Sequence, residues 1–300
     1  MAVRILKVVG LLLGVGLLVS PTWSPIPGTV CGWAGPHEGE AWYGPLVLTT
    51  AQALDLMEKF AAPEGEKCRL VAGVSLHFGD YEKVFTEAFP ILRQYQVPAT
   101  AFIVTGRIGQ PDYMTLDQIK ELAKNGWEIG SHTVTHRPLV NLVKTKLGTG
   151  GLSPSEIRAE LEQSKAFLER ERFSASGFLS PFGLYDDAVL EQIQRVYGYH
   201  RSNVFSTINP LPPADHGLGS RWELVYFQVR EDTPPQEVII KIDQVNRRGG
   251  WLILDFHDIG DDDPRLSYPP EALEEIVRFI RVGLKLCTLE ELQRGSCRAR

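Results

Sequence analysis

Three hundred residues with 43% apolar content, 28 glycines and 20 prolines describe a globular chain long enough for one large domain or two modest ones, and exclude a disordered or collagen-like protein. Thirty-one Lys and Arg against 37 Asp and Glu give a net charge of −6, and without Arg4 and Lys7 the rest of the chain carries −8. Nucleic-acid binders need a basic face, so no nucleic acid is expected and a neutral or weakly charged partner is. Four cysteines are too few to build a disulfide scaffold, so the core must come from packing.

Arg4 and Lys7 precede a small and apolar run over 8–19, which ends in Ser20-Pro21-Thr22-Trp23-Ser24-Pro25. A membrane-crossing helix needs about 20 apolar residues, so the run fits a secretory leader over 1–24, with an uncleaved N-terminal anchor as the alternative and the only membrane contact. Export predicts a secreted or cell-envelope protein and permits disulfides among Cys31, Cys68, Cys287 and Cys297. Residues 25–66 read as an N-terminal extension around one helix at 51–60.

From Cys68 onward, short β-branched or aromatic runs alternate with amphipathic stretches. The strand candidates are 70–78, 99–104, 127–129, 177–179, 202–204, 224–229, 251–256 and 286–288, and the helical patterns are 83–95, 116–125, 154–171, 187–197, 235–246 and 271–282. Ser153-Pro154-Ser155-Glu156 carries the best start signal: an N-cap hydroxyl, a proline at the first helical position and a glutamate at the third. Such alternation, with no glycine-rich phosphate loop, predicts an α/β fold with a parallel sheet, most simply a (β/α) barrel whose site lies at the strand carboxyl ends. Cys68 opens the first of these strands and Cys287 lies in the last, so a closed barrel could make them neighbours.

Three polar clusters follow strand candidates directly: His77-Phe78-Gly79-Asp80, Ser131-His132-Thr133-Val134-Thr135-His136, and Asp255-Phe256-His257-Asp258. Two histidines four apart can present both imidazoles on one side, and a carboxylate from a neighbouring strand end would complete a three-ligand zinc site with an open position. Asp258, Asp261, Asp262 and Asp263 lack the spacing of a calcium loop and read as a solvated turn.

These clusters, together with Ala88-Phe89-Pro90, Val97-Pro98-Ala99-Thr100-Ala101-Phe102, Gly126-Trp127-Glu128-Ile129-Gly130-Ser131-His132 and Ser180-Pro181-Phe182-Gly183, resemble the polysaccharide deacetylase family, carbohydrate esterase family 4, in the family's own order. The resemblance covers about residues 68–292, within a catalytic domain at 67–295. It implies a distorted (β/α) barrel that removes N- or O-acetyl groups from a glycan, most simply an N-acetylglucosamine polymer. It also implies a divalent metal, most simply Zn2+, on Asp80, His132 and His136, with His257 as general acid. Pro181 and Phe182 would border the substrate, and Trp222, as a strand-flanking aromatic, is a candidate sugar platform or core residue.

Two paired departures stand out, and a third accompanies them. Gly79 occupies the position of the family's base aspartate, and Leu179 that of the arginine that pairs with it. Losing both leaves neither charge stranded. Asp255 replaces a leucine and, by strand alternation, shares a face with His257; it is the candidate for a migrated base or for a partner of His257, with His77 as the lesser candidate base. A homologue that binds metal and glycan without hydrolysis is the alternative function, and a branch acting on small amides a third.

Overall fold

Parallel strands separated by helices need both faces covered, and the described part of the chain meets that requirement with one closed barrel. The computed structural model describes residues 46–47, 49–59, 73–140, 152–205, 208–210, 217–248, 250–260 and 266–283. The leader, the four cysteines, the strand predicted at 286–288 and Asp261, Asp262 and Asp263 lie outside these residues. Among the described residues no helix is long and apolar enough to cross a membrane.

The elements run β1 (Leu46–Val47), α1 (Thr50–Lys59), β2 (Gly73–Phe78), a π-helical turn (Val84–Ala88), α2 (Phe89–Gln94), β3 (Thr100–Ile103), α3 (Leu116–Lys124), β4 (Glu128–Ser131), α4 (Pro154–Arg170), β5 (Gly177–Leu179), α5 (Asp187–Val196), β6 (Tyr199–Phe205), β7 (Leu224–Gln228), α6 (Pro235–Arg248), β8 (Trp251–Asp255), the short pair β9 (Asp258–Ile259) and β10 (Ser267–Tyr268), and α7 (Pro270–Arg278). Strands β2 to β8 pair in chain order and in parallel, and β8 pairs back onto β2 to close seven strands into the expected (β/α) barrel. The predicted capping box forms at α4, where Ser153 and Glu156 each accept the other's backbone N–H. α3 has a second capping box from Thr115 and Gln118.

Strand alternation sorts the side chains into two clusters. Val74, Leu76, Ala101, Ile103, Ile129, Leu252 and Leu254 face outward against the helices. Phe102, Tyr199, Leu224, Tyr226, Trp251 and Ile253 fill the barrel, and Ala53 and Leu54 of α1 pack among them. Gly177 is required here, because a Cβ on it would run into the Tyr199 ring. The helix read as part of an extension therefore plugs the barrel. β1 pairs with Gly73 and Val74, the amino end of β2, which places the plug at the end opposite the strand carboxyl ends. A leucine-sized side chain contributes about 1.5–3 kcal/mol on full burial, so Leu54 is a substantial part of what holds the segment in place.

A polar network fixes the plug. Glu128, the first residue of β4, accepts from Ala51 N (2.9 Å), Tyr199 OH (2.8 Å) and Thr100 Oγ1 (3.2 Å). A carboxylate at the first turn of α1 also complements the helix dipole. His77 reaches Thr50 Oγ1 through Nε2 at 2.6 Å.

Candidate active site

After β4 the chain turns sharply, and Thr133 and His136 take left-handed backbone angles (φ 72° and 60°) that side-chain-bearing residues rarely adopt. Such positions cost about 1–3 kcal/mol each and persist only where the surroundings impose them. Two neighbours impose them here. Thr105 N and Gly106 N, just past β3, donate to the carbonyls of Thr133 and Val134 (3.0 and 2.9 Å). Glu160 of α4 accepts from Val134 N (2.8 Å), Thr135 N (2.9 Å) and Thr135 Oγ1 (2.6 Å). Glu160 belongs to no motif of the sequence. Its signal there is a carboxylate set inside the buried stripe of Ile157, Leu161, Ser164 and Leu168.

The loop so held brings His132 and His136 edge to face, with ring centroids 4.6 Å apart and planes at 73°. His132 Nδ1 lies 2.7 Å from the Leu179 carbonyl and donates to it, which leaves the Nε2 lone pair unspent. Burial and the neighbouring His136 hold His132 well below the ordinary histidine value; burial, Arg107 and His257 bring His136 to about 4. Both rings are thus neutral near pH 7, the state in which imidazole ligates a metal. Phe182, 54% exposed and itself left-handed (φ 58°), lies against the His136 ring at 4.7 Å, with Pro181 buried beneath it.

Asp80 stands just beyond β2, buried, with Oδ2 accepting from Val104 N at 3.0 Å. Burial pushes it up to about 6 against the pull of that hydrogen bond. The donor chemistry of two imidazoles and a carboxylate fits a divalent ion, and the Nδ1 anchor of His132 is the outer support such ligands need. Among the described residues, no three His, Cys, Asp or Glu side chains stand close enough together to hold one, so Asp80 sits at the same rim without closing on the pair.

His257, beyond β8, is 42% exposed at its side chain and completes the rim. Its Nδ1 lies 3.4 Å from Gln228 Nε2 and 3.9 Å from Asp255 Oδ2. Asp255 is buried, and its Oδ2 is 3.0 Å from Nη1 of Arg201, equally buried on β6.

Residues 70–201 match the sequence profile of the polysaccharide deacetylase family. Strands β2 to β5 lie wholly within that match. A poly-beta-1,6-N-acetyl-D-glucosamine N-deacetylase of Staphylococcus aureus is 34% identical over 137 residues, 42% of this chain and 47% of its own length, so the chain spans about half of this curated relative. Among solved structures, the Streptococcus pyogenes deacetylase PplD in complex with acetate aligns at 24% identity and TM-score 0.46, over 59% of this chain and 73% of its own. A Bacillus anthracis pseudoenzyme of carbohydrate esterase family 4 aligns at 20% and 0.46, over 73% and 64%.

Against the deacetylase pattern, the two departures acquire physical content. A Cβ on Gly79 would come within 2.6 Å of the His257 carbonyl oxygen, which Gly79 N already meets as a donor at 3.2 Å. The backbone between β2 and β8 has closed over the place where the family's base side chain would stand. Leu179 faces the barrel interior, and Arg201, its register partner on β6, carries a guanidinium instead. His77 does not reach the rim: it is fully buried, bonded to Thr50, and held well below the ordinary value by burial and then Arg201, so it cannot meet a substrate as a base. Trp222 lies two residues before β7, and its carbonyl accepts from His200 Nδ1 at 2.8 Å.

Proposed function

We propose that this protein is an exported, metal-dependent deacetylase that hydrolyses N-acetyl groups of an N-acetylglucosamine polymer or oligomer. The observation that carries the reading is the His132–His136 pair, edge to face on a strained loop, with His132 Nδ1 tied to Leu179 and His257 at the same rim. The similarity to the poly-N-acetylglucosamine deacetylase supports the substrate class, and the charge of −6 suits a neutral glycan. The leader-like run over 8–19 supports export.

His132 and His136 would hold the divalent ion, with Asp80 drawn in from the same rim as third ligand, and two imidazoles favour zinc. When bound, it supplies Lewis-acid polarisation of the acetyl carbonyl and a more acidic water. The chain's own residues handle the proton. With Gly79 offering no carboxylate, the His257 imidazole takes the proton of the attacking water as oxygen bonds to the acetyl carbon. As imidazolium it returns that proton to nitrogen while the C–N bond breaks, releasing acetate and the free amine. Asp255 stabilises the imidazolium from below and serves as partner rather than base. Phe182 and Pro181 border the sugar, the exposed ring offering a face on which a pyranose can stack.

Gly79 favours a second reading, a homologue that binds metal and glycan without hydrolysis. Acetate release from N-acetylglucosamine oligomers separates the two, measured before and after chelation and after zinc is restored. Zinc-dependent acetate is the expected result; bound metal and glycan without acetate establishes the second reading.

A further inference from the structure

Deep in the barrel, between the plug and the rim, polar atoms from three strands converge with their hydrogen-bonding capacity unspent. Among the described residues five buried side-chain polar atoms lack a well-aligned hydrogen bond, and four of them are here: His77 Nδ1, Arg201 Nε and Nη1, and Asp255 Oδ2. His77 and Asp255 are direct register partners across β2 and β8. Arg201 enters from β6, opposite Leu179 and Leu224. Its guanidinium lies over the Tyr226 ring at 4.0 Å, with Nη1 3.0 Å from Asp255 Oδ2.

That arrangement is poor as a stabilising device. A buried ion pair recovers its desolvation cost only when the remaining donors and acceptors are bonded, and replacement of both members by apolar groups is often neutral or stabilising. Here the close pair is not aligned as a hydrogen bond, and Nε is unpartnered as well. The same Oδ2 that Arg201 approaches lies 3.9 Å from His257 Nδ1. Of the two groups flanking that nitrogen, Gln228 presents its NH2, which can only donate, and its Oε1 accepts from Arg230 Nη2 at 3.1 Å. Of these two, the Asp255 carboxylate is the one that can accept from Nδ1–H of a protonated His257.

We propose that Arg201 is a positioning residue of this site: by pinning Asp255 from the barrel interior, it keeps the carboxylate beneath His257 Nδ1 and thereby fixes the ring's orientation toward the substrate. The Tyr226 face limits how the guanidinium can turn, and the β5–β6 register sets its height. This role rests on the deacetylase reading for its catalytic consequence but not for its geometry.

The test uses the zinc-loaded protein and Arg201→Met, Arg201→Lys and Arg201→Met/Asp255→Asn. The expected result for Arg201→Met is a displaced or broadened His257 ring Nδ1 resonance, with kcat on an N-acetylglucosamine oligomer lowered about tenfold at unchanged KM. Arg201→Lys should recover part of both. The double variant, with neither charge stranded, should melt no lower than wild type while retaining the displaced resonance, which covers the case in which Arg201→Met alone fails to fold. An Arg201→Met protein with wild-type His257 resonances overturns the proposal, and so does a double variant that loses only melting temperature. If the wild type releases no acetate, the deacetylase reading falls, and the resonance comparison alone decides the role of Arg201.

Discussion

The two ends of the barrel handle polar groups in opposite ways. At the amino end, Glu128 has Ala51, Thr100 and Tyr199 as donors, and Ser75 accepts from Trp251 Nε1 at 3.0 Å. At the carboxyl end, His132 keeps an uncommitted ring nitrogen, His136 and Phe182 sit on left-handed backbone, and His257 is half exposed. Satisfied polar groups serve the fold, while unspent capacity held in place against strain marks a site. The sharpest way to break this contrast is a pair of deletions. His257→Ala should lower kcat by about 10²–10⁴-fold with little change in melting temperature. Glu128→Ala should do the reverse, costing roughly 3–5 kcal/mol because several buried donors each lose an acceptor worth about 1–3 kcal/mol. Acetate release per folded molecule and urea midpoints distinguish the two. A Glu128→Ala protein of normal stability would erase the distinction.

How much of this was legible beforehand depended on whether a signal was local. The α4 start was readable because a capping box lies within four residues, and β5 because its bounds coincide with a short run over 177–179. β6 runs Tyr199–Phe205, well beyond the 202–204 that the sequence predicts, because His200 and Arg201 look like loop residues until their partners are known. His200 bonds outward to Ser180 and Trp222 and Arg201 inward to Asp255, contacts between 20 and 54 positions away that no window shows. The helix expected at 51–60 is present as α1, but the same limit hid its role, because its burial is set by strands far along the chain. The histidine pair was legible by spacing; Glu160, which holds its loop, was not.

The wall of the barrel supplies a pH test. Burial brings His200 to about 4, against the pull of the Trp222 carbonyl. Between there and the ordinary value near 6.5 the unfolded chain binds the proton and the folded one does not. The stability it contributes is therefore complete above about 6.5 and is lost as pH falls toward 4, by about 3 kcal/mol in all. Burial shifts Glu128 upward, so its contribution runs the other way and favours lower pH. His200→Gln should flatten the acid limb of unfolding free energy against pH; an unchanged slope would show that His200 is not what makes the wall acid-sensitive.

Glu160 tests the rim through its support. Glu160→Ala removes the acceptor of Val134 N, Thr135 N and Thr135 Oγ1 and leaves the left-handed Thr133 and His136 less constrained. Loss of an outer support typically lowers metal affinity by about 10–100-fold. Competition with a chelator should therefore show weaker zinc retention in Glu160→Ala, with secondary structure intact. Equal retention would mean that the backbone bonds from Thr105 and Gly106 suffice to hold the loop.

The smallest expected effect concerns Gly79. If this position were simply a deletion of the family's base, Gly79→Asp would recover activity. The geometry argues otherwise, since a Cβ there lies 2.6 Å from the His257 carbonyl and 3.2 Å from the Tyr81 ring. A backbone oxygen cannot rotate away as a side chain can, so β8 must shift at the residue that carries the acid. Gly79→Ala should thus cost about 1–3 kcal/mol, the usual penalty of overpacking, and lower kcat through the displaced His257. Gly79→Asp should carry the same strain and release acetate no faster than Gly79→Ala. A faster Gly79→Asp would show that the β2–β8 closure yields to a side chain, and that the proton chemistry assigned to His257 belongs to a carboxylate the chain has lost.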